Sequence, residues 1–307
     1  MFAAMRAIPF LPSRFLTAGL LTALTMAAPL RADDDYSKAV ETWRADRVTR
    51  LTKADGWLTL IGRHRLQPGE NTVGAGPDNT LRLAAGPSHF GTVTLGPGGI
   101  VDFKPAASAY ILVDGLPAHP TQLRYNDGLR PSLVQSGSVS FYVIKHGVTP
   151  WLRVKDSEAL RRKNFAGLDY FPIDPAWRIE AQWIQFEQPR QVSFTDVSGQ
   201  NSPAPVPGKA VFMHDGKTYE LLAIDEGREH PLFFVIGDPT NGNETHGGGR
   251  FLYAEWPKDG KVVLDFNHTE NPPCAFSPFT VCPLPPKENQ LPFPINAGEK
   301  TYRGEAH

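Results

Sequence analysis

The chain has 307 residues, 41% of them hydrophobic and 21% charged, which is ordinary for a globular protein. Its 31 basic residues nearly balance 32 acidic residues, and no stretch is strongly basic. This balance argues against nucleic acid and anionic membrane surfaces as partners. The length fits one large or two modest domains, and either can bury a core.

Residues 1–32 follow the order of a cleavable secretory leader. Arg6 and Arg14 give a positive start, Phe15 to Pro29 is uncharged, and Ala32 is a small residue at the expected cleavage point. The apolar run is shorter than the roughly 20 residues of a transmembrane helix, and an uncleaved anchor is the alternative. We expect an exported protein, periplasmic or secreted, without a transmembrane anchor after cleavage. The remaining 28 basic and 32 acidic residues give a net charge of −4.

An N-terminal amphipathic helix is predicted over residues 33–53, before Asp55-Gly56. Residues of its buried face recur at spacings of three and four. They are Tyr36, Val40, Trp43, Arg47 and Leu51.

A β-sandwich is predicted for residues 54–150, because short β-rich runs alternate with frequent glycine and proline turn signals. The runs are Trp57 to Ile61, Thr80 to Leu83, Gly91 to Leu95, Tyr110 to Val113 and Val139 to Ile144.

A second β domain with long proline-rich loops is predicted for residues 151–303. Asp215-Gly216 and Asp259-Gly260 each mark a hairpin, since Asp-Gly supplies the positive φ angles of tight turns. The second hairpin is expected to run from Arg250 to Phe266. Leu232 to Ile236 is typical of a buried strand, and Pro203 to Pro207 is either a domain linker or a long loop. The predicted fold class is mainly β.

The candidate site lies around Asp238–Arg250 and Asp265–Asn289, two polar loops that flank the second hairpin. Signatures of serine hydrolases, zincins, phosphate loops and dinucleotide folds are absent from the sequence, and no cofactor or metal is indicated. The carboxylates expected to act as acid or base, or alternatively as ligands of a cation, are Asp238, Glu244 and Asp265. The expected substrate contacts are Arg250, which would bind an anionic group, and Thr240, Asn267, Asn271, Glu288 and Asn289.

A structural interpretation competes with this site. In this interpretation, Asp and Asn side chains form hydrogen bonds with backbone groups of the proline-rich loops, and Arg250 and Asp265 form a buried ion pair. Arg153 and Asp156 are a second candidate pair. The two cysteines, Cys274 and Cys282, are expected to form a disulfide in an oxidising compartment, with a metal pair or two free thiols as alternatives.

At these residues the chain resembles the family catalogued as domain of unknown function number 1684, exported bacterial proteins without assigned activity. The resemblance covers most of the mature chain and is most specific near its end. The matching segments there include Leu264-Asp265-Phe266-Asn267, Asn271-Pro272-Pro273-Cys274-Ala275-Phe276 and Cys282-Pro283-Leu284-Pro285-Pro286. The family usually has Tyr where this chain has His246, which argues against His246 as a general family ligand.

A looser likeness concerns residues 66–144, whose glycine spacing is similar to that of forkhead-associated β-sandwiches. Ala75 stands where that pattern has Arg, so the likeness supports the sandwich and not phosphopeptide binding. The leading hypothesis is therefore an exported enzyme, with hydrolysis favoured, acting on a small molecule or anion. The alternative is a non-catalytic exported binding or envelope-associated module, and no protein partner is indicated.

Overall fold

The computed structural model describes residues 28–125 and 130–304. Most of the expected leader, residues 1–27, lies outside these ranges. Helix α1 spans Ala28–Thr52, so it begins within the expected leader and ends one residue before the predicted end. The expected face is buried at Val40, Arg47 and Leu51. No helix within the described ranges is long and apolar enough to span a bilayer.

The first β unit contains eleven strands and a short helix. The strands are β1 (Leu60–Arg65), β2 (Gly69–Gly74), β3 (Leu81–Arg82), β4 (Gly91–Leu95), β5 (Val101–Pro105), β6 (Leu112–Val113), β7 (Leu116–Pro117), β8 (Thr121–Gln122), β9 (Val134–Ser136), β10 (Val139–His146) and β11 (Thr149–Asp156), and the helix that follows is α2 (Leu160–Lys163).

These strands form two sheets that enclose one core. The six-stranded sheet has the order β1-β11-β10-β9-β6-β7, and the five-stranded sheet has the order β3-β2-β4-β5-β8. Phe103 from the second sheet meets Phe141 from the first edge to face, with ring centroids 5.9 Å apart. Strand β11 crosses the expected boundary at residue 150 and stays within the first unit.

The second β unit contains six strands. They are β12 (Arg178–Thr195), β13 (Asn201–His214), β14 (Lys217–Ala223), β15 (Leu232–Ile236), β16 (Arg250–Ala254) and β17 (Lys261–Asp265). Four of them form a sheet of order β14-β13-β12-β17, and β15 pairs with β16. The prediction of a mainly β protein with an N-terminal helix is confirmed.

The Asp215-Gly216 hairpin is confirmed, since β13 and β14 pair from His214–Lys217 to Gly208–Ala223. The hairpin expected between Arg250 and Phe266 is wrong. A two-residue turn does form at Asp259-Gly260, both at positive φ, but β16 pairs with β15 and β17 pairs with β12. The buried strand β15 takes β16 as its partner, so the local turn signal does not determine the pairing.

The Pro203 to Pro207 segment is neither a linker nor a loop, because it belongs to β13 and pairs with β12. Pairing of β13 with β14 starts only at Gly208. The prolines therefore lie where one edge of the strand has no partner strand, the position that tolerates a missing N–H.

Candidate functional site

Arg250 is completely buried and does not contact Asp265. Its Nη2 donates to Asp238 Oδ2 and to the Ile295 carbonyl, both at 2.9 Å. Its Nη1 donates to the Ala297 carbonyl at 2.5 Å. Both side chains of the Arg250–Asp238 pair are 0% exposed, so the expected Arg250–Asp265 ion pair is wrong. Burial lowers the pKa of Arg250, and Asp238 partly offsets this.

The loop after β15 is fixed by the same carboxylate. Asp238 Oδ1 accepts from the backbone N–H of Thr240 at 2.9 Å, from its hydroxyl at 2.6 Å, and from the Ile295 N–H at 3.2 Å. Glu244 lies outside this network, is exposed, and pairs with Lys300 at 3.6 Å. Asp238 and Thr240 thus hold a loop closed, as the structural interpretation expected.

Asp265 and Asn267 join the second β unit to helix α1. Asp265 accepts from the Tyr36 hydroxyl at 2.8 Å and from the Asn267 N–H at 3.1 Å. Asn267 Nδ2 donates to the Asp174 carbonyl at 2.9 Å. Asp265 also borders an open groove of about 530 Å³ beside Trp43.

Asn271 and Asn289 are buried and bind backbone groups. Asn271 Nδ2 donates to the Lys300 carbonyl at 2.8 Å. Asn289 accepts from the Leu222 N–H at 2.7 Å and donates to the Val235 carbonyl at 3.0 Å, which joins β14 to β15. Glu288 is exposed. Seven of the nine expected site residues therefore belong to separate structural networks, and Glu244 and Glu288 are exposed. The structure does not gather the nine around one cleft.

An open cavity lies between the two β units, and we call it the inter-unit cleft. Its volume is about 330 Å³, within the range of small-molecule sites. Its polar and charged lining consists of Arg63, Lys145, His146, Arg153, Asp196, Ser202 and Glu226, and its apolar lining of Ile144, Phe194, Pro203, Ala204, Ile224, Phe233, Val281 and Pro283.

Two arginines stand side by side in the inter-unit cleft. Arg63 on β1 is directly opposite Arg153 on β11. Alternation along β11 buries Leu152 and Val154 in the core and turns Arg153 to the outer face of the sheet. Arg63 lies over the Trp151 ring, 4.5 Å from its centroid.

Neither guanidinium forms a salt bridge or a hydrogen bond within residues 28–125 and 130–304, and Arg63 Nη1 and Arg153 Nε are buried without a partner. Burial, and then the neighbouring Arg153, lower the pKa of Arg63. Two adjacent guanidinium groups without a carboxylate partner form a site of positive potential that an anion would satisfy.

A histidine–aspartate pair closes one side of the inter-unit cleft. His146 is the last residue of β10, Asp196 follows β12, and His146 Nε2 lies 2.8 Å from Asp196 Oδ2. Asp196 Oδ1 accepts from Ser198 N–H at 2.8 Å, Ser198 hydroxyl at 2.6 Å and Gln200 N–H at 3.1 Å. Burial raises the pKa of Asp196, but the hydrogen bonds from Ser198, His146 and Gln200 outweigh burial and hold it below its usual value.

The cysteines are free thiols, so the expected disulfide is not formed in the structure. Cys274 N–H donates to Cys282 Sγ at 3.2 Å. The hydrogen bond from Cys274 lowers the pKa of Cys282. His246 Nε2 lies 3.6 Å from Cys274 Sγ. In the described part of the chain, no three His, Cys, Asp or Glu residues form a group that could hold a metal ion.

The sequence interpretation missed Arg63, His146 and Asp196 as members of one site. It did single out Arg153, paired there with Asp156. The available signal was the alternation in Thr149–Asp156, which places Trp151 and Arg153 on the face opposite the buried Leu152 and Val154. Nothing local indicated that the β12–β13 turn would bring Asp196 to His146.

Comparison with known protein families finds a family model that matches the second half of the chain. Residues 163–300 match the family model described as "Protein of unknown function (DUF1684)". A solution NMR structure of an uncharacterized protein from Haloarcula marismortui is 36% identical, covering 46% of this chain and 79% of that chain with a TM-score of 0.38. No curated protein matches the chain.

Proposed function

We propose that this chain, whose residues 163–300 match the family model described as proteins of unknown function DUF1684, is an exported protein that binds small molecules bearing an anionic group. The proposed site is the inter-unit cleft and not the buried network around Arg250. The observation that supports it is the adjacent pair Arg63 and Arg153, which no carboxylate of the described residues neutralises by a salt bridge.

The ligand chemistry follows from the walls of the inter-unit cleft. Two guanidinium groups favour a carboxylate or phosphate, because each can donate two parallel hydrogen bonds to it. Phe194, Ile224 and Phe233 supply apolar surface for the rest of the molecule. Glu226 carries the opposite charge and disfavours a second anionic group. A compact aromatic or aliphatic acid fits these walls best.

Export is part of the proposal and is supported by the order of charged, apolar and small residues in positions 1–32. N-terminal sequencing of protein made in a bacterial host and recovered from its periplasm tests it. We expect the mature chain to begin at Asp33. Recovery of the protein in the cytoplasm with Met1 intact would contradict export.

Removal of one cleft arginine is expected to weaken anion binding by roughly 10- to 150-fold, since hydrogen bonds to charged groups contribute about 1.5–3 kcal/mol. The probes are 4-hydroxybenzoate, phenyl phosphate and the uncharged 4-hydroxybenzamide, measured by calorimetry and thermal shift. Both anions should raise the melting temperature of the wild type, and the amide should not. Arg63→Gln and Arg153→Gln should abolish most of the response.

The matched control for these variants is Arg65→Gln. Arg65 lies on the same strand as Arg63 but is exposed and does not line the inter-unit cleft. Its loss should leave the affinity for both anions unchanged. Equal responses to 4-hydroxybenzoate and its amide, or equal losses in all three variants, would rule out recognition by the arginine pair.

We also propose that Cys274 and Cys282 form a disulfide after export, supported by the 3.2 Å hydrogen bond that brings Cys282 Sγ to the Cys274 backbone. Thiol titration under denaturing, non-reducing conditions should find no free thiol in periplasmic protein and two after reduction. Closing so small a ring stabilises a protein by about 2–3 kcal/mol on chain entropy, so reduction should lower the melting temperature. Cys282→Ser protein should show one thiol and no effect of reductant. Two free thiols in the oxidised sample would disprove the disulfide.

A further inference from the structure

The contact between His146 and Asp196 selects one tautomer of the neutral imidazole. An ionised carboxylate only accepts hydrogen bonds, so the proton of the neutral imidazole lies on Nε2, which faces Asp196 Oδ2 at 2.8 Å. The other ring nitrogen, Nδ1, then carries the lone pair. This is the arrangement in which a carboxylate orients a histidine as a general base.

The carboxylate itself is held rigidly. Ser198 and Gln200 direct three hydrogen bonds to Oδ1 and leave Oδ2 for His146. The pair lies in the wall of a cavity whose lining also contains Arg63 and Arg153. The charge of Asp196 partly offsets the lowering of the Arg63 pKa by burial and by Arg153.

We propose that the inter-unit cleft hydrolyses esters of small molecules that carry a separate anionic group. This inference rests on the proposed function, since Arg63 and Arg153 must first hold the anion. His146 is the catalytic residue and acts as general base on water. Asp196 is a positioning residue that orients the imidazole.

The step balances without a further reactant. His146 Nδ1 takes one proton from water while the water oxygen bonds to the ester carbonyl carbon. The resulting tetrahedral intermediate carries its negative charge on the former carbonyl oxygen. As the bond from carbon to the leaving oxygen breaks, the proton passes from His146 Nδ1 to that oxygen. The products are a carboxylic acid and an alcohol or phenol, and the imidazole returns to its starting form.

The test substrate is 4-acetoxybenzoate, whose carboxylate is separate from the ester, and its uncharged counterpart is methyl 4-acetoxybenzoate. Liquid chromatography follows the release of 4-hydroxybenzoate from the first ester and of methyl 4-hydroxybenzoate from the second. We expect wild-type protein to cleave the anionic ester with a kcat/KM at least tenfold above that for the methyl ester. His146→Gln should lower kcat at least about 100-fold, the lower range for general base catalysis, with KM and the affinity for 4-hydroxybenzoate within threefold of wild type.

Two further variants separate catalysis from folding. Asp196→Asn should lower kcat and leave KM unchanged, and imidazole added to His146→Gly protein should restore part of kcat, which a structural role would not allow. The matched control is His89→Gln, because His89 also faces a carboxylate, Asp78 at 3.5 Å, but does not line the inter-unit cleft. Its kcat should equal that of the wild type.

The outcomes distinguish the two proposals. If wild-type protein binds 4-hydroxybenzoate but cleaves 4-acetoxybenzoate no faster than His146→Gln protein does, the hydrolytic inference is overturned and anion binding stands. If wild-type protein does not bind 4-hydroxybenzoate, the proposed function fails and the inference fails with it. Cleavage of both esters at equal kcat/KM would overturn the anion requirement.

Discussion

Arg250→Met is expected to lower the free energy of unfolding by about 3–5 kcal/mol, the usual loss when one partner of a buried ion pair is removed. The variant leaves the Asp238 carboxylate without its charge partner at a position with no exposure. The carbonyls of Ile295 and Ala297 lose their donors as well. Equilibrium unfolding in urea, followed by tryptophan fluorescence, measures the loss.

The control is Arg124→Ala, which removes a pair with Asp114 whose side chains are 55% and 35% exposed. Exposed pairs contribute little, so its unfolding midpoint should stay close to that of the wild type. The double variant Arg250→Met/Asp238→Leu should recover part of the loss, because no charge is then left buried and unpaired. An Arg250→Met protein as stable as Arg124→Ala protein would contradict a structural role for Arg250.

Arg47→Met should release helix α1 from the second β unit and cost about 3–5 kcal/mol. Arg47 donates from Nε to Glu299 at 2.8 Å, donates to the Asn271 carbonyl at 2.9 Å, and pairs with Glu270 at 3.3 Å. Its loss leaves two largely buried carboxylates without their main cation. Limited proteolysis within α1, together with urea unfolding, detects the release.

The loss of unfolding free energy caused by Arg47→Met should become smaller as the pH falls from 7 toward about 4.3, the ordinary pKa of Glu. Burial raises the pKa of Glu270, and Arg47 opposes this rise. Without Arg47 the folded-state pKa moves further above the unfolded value. Such a carboxyl binds its proton more tightly in the folded state, so stability is recovered at low pH and lost as pH rises.

The control for this pH dependence is Arg50→Met on the same helix. Arg50 is 46% exposed and lies 3.6 Å from Glu270, so its removal should give a smaller loss with a weaker pH dependence. If Arg47→Met lowers the free energy of unfolding equally at pH 7 and pH 4.5, the role of the buried Glu270 carboxylate is contradicted.

The sequence predicted the elements of this fold better than their partners. The α1 face, the buried strand Leu232–Ile236 and both Asp-Gly turns follow from periodicity and turn chemistry, which are local. The pairing of β17 with β12 is not local, because it joins segments about 80 residues apart. The local turn at Asp259-Gly260 therefore predicted a hairpin that the core does not allow. The prolines of β13 led to a wrong prediction of a linker or loop for a related reason. Only the tertiary pairing shows that one edge of the strand has no partner strand at these residues.

The candidate site was predicted less well. Asp, Asn and Arg in proline-rich loops serve equally for a substrate and for backbone groups, and only burial separates the two roles. Arg250, Asn267 and Asn289 are fully buried, which assigns them to backbone and ion-pair networks. The inter-unit cleft arises where β1, β11 and the β12–β13 turn meet. No sequence pattern within any one of these three segments indicates that they come together.

The contact between Arg47 and Glu299 also sets an order for maturation of the chain. These residues are 252 positions apart in sequence, so α1 leaves the ribosome long before its carboxylate partner exists. Contacts of this separation close late, after their loop entropy has been overcome. The full set of contacts that hold α1 therefore forms only after the polypeptide has been made through residue 299. A chain cut short before that residue lacks the Arg47–Glu299 contact, and its more weakly held N-terminal helix is the kind of segment that proteases remove first.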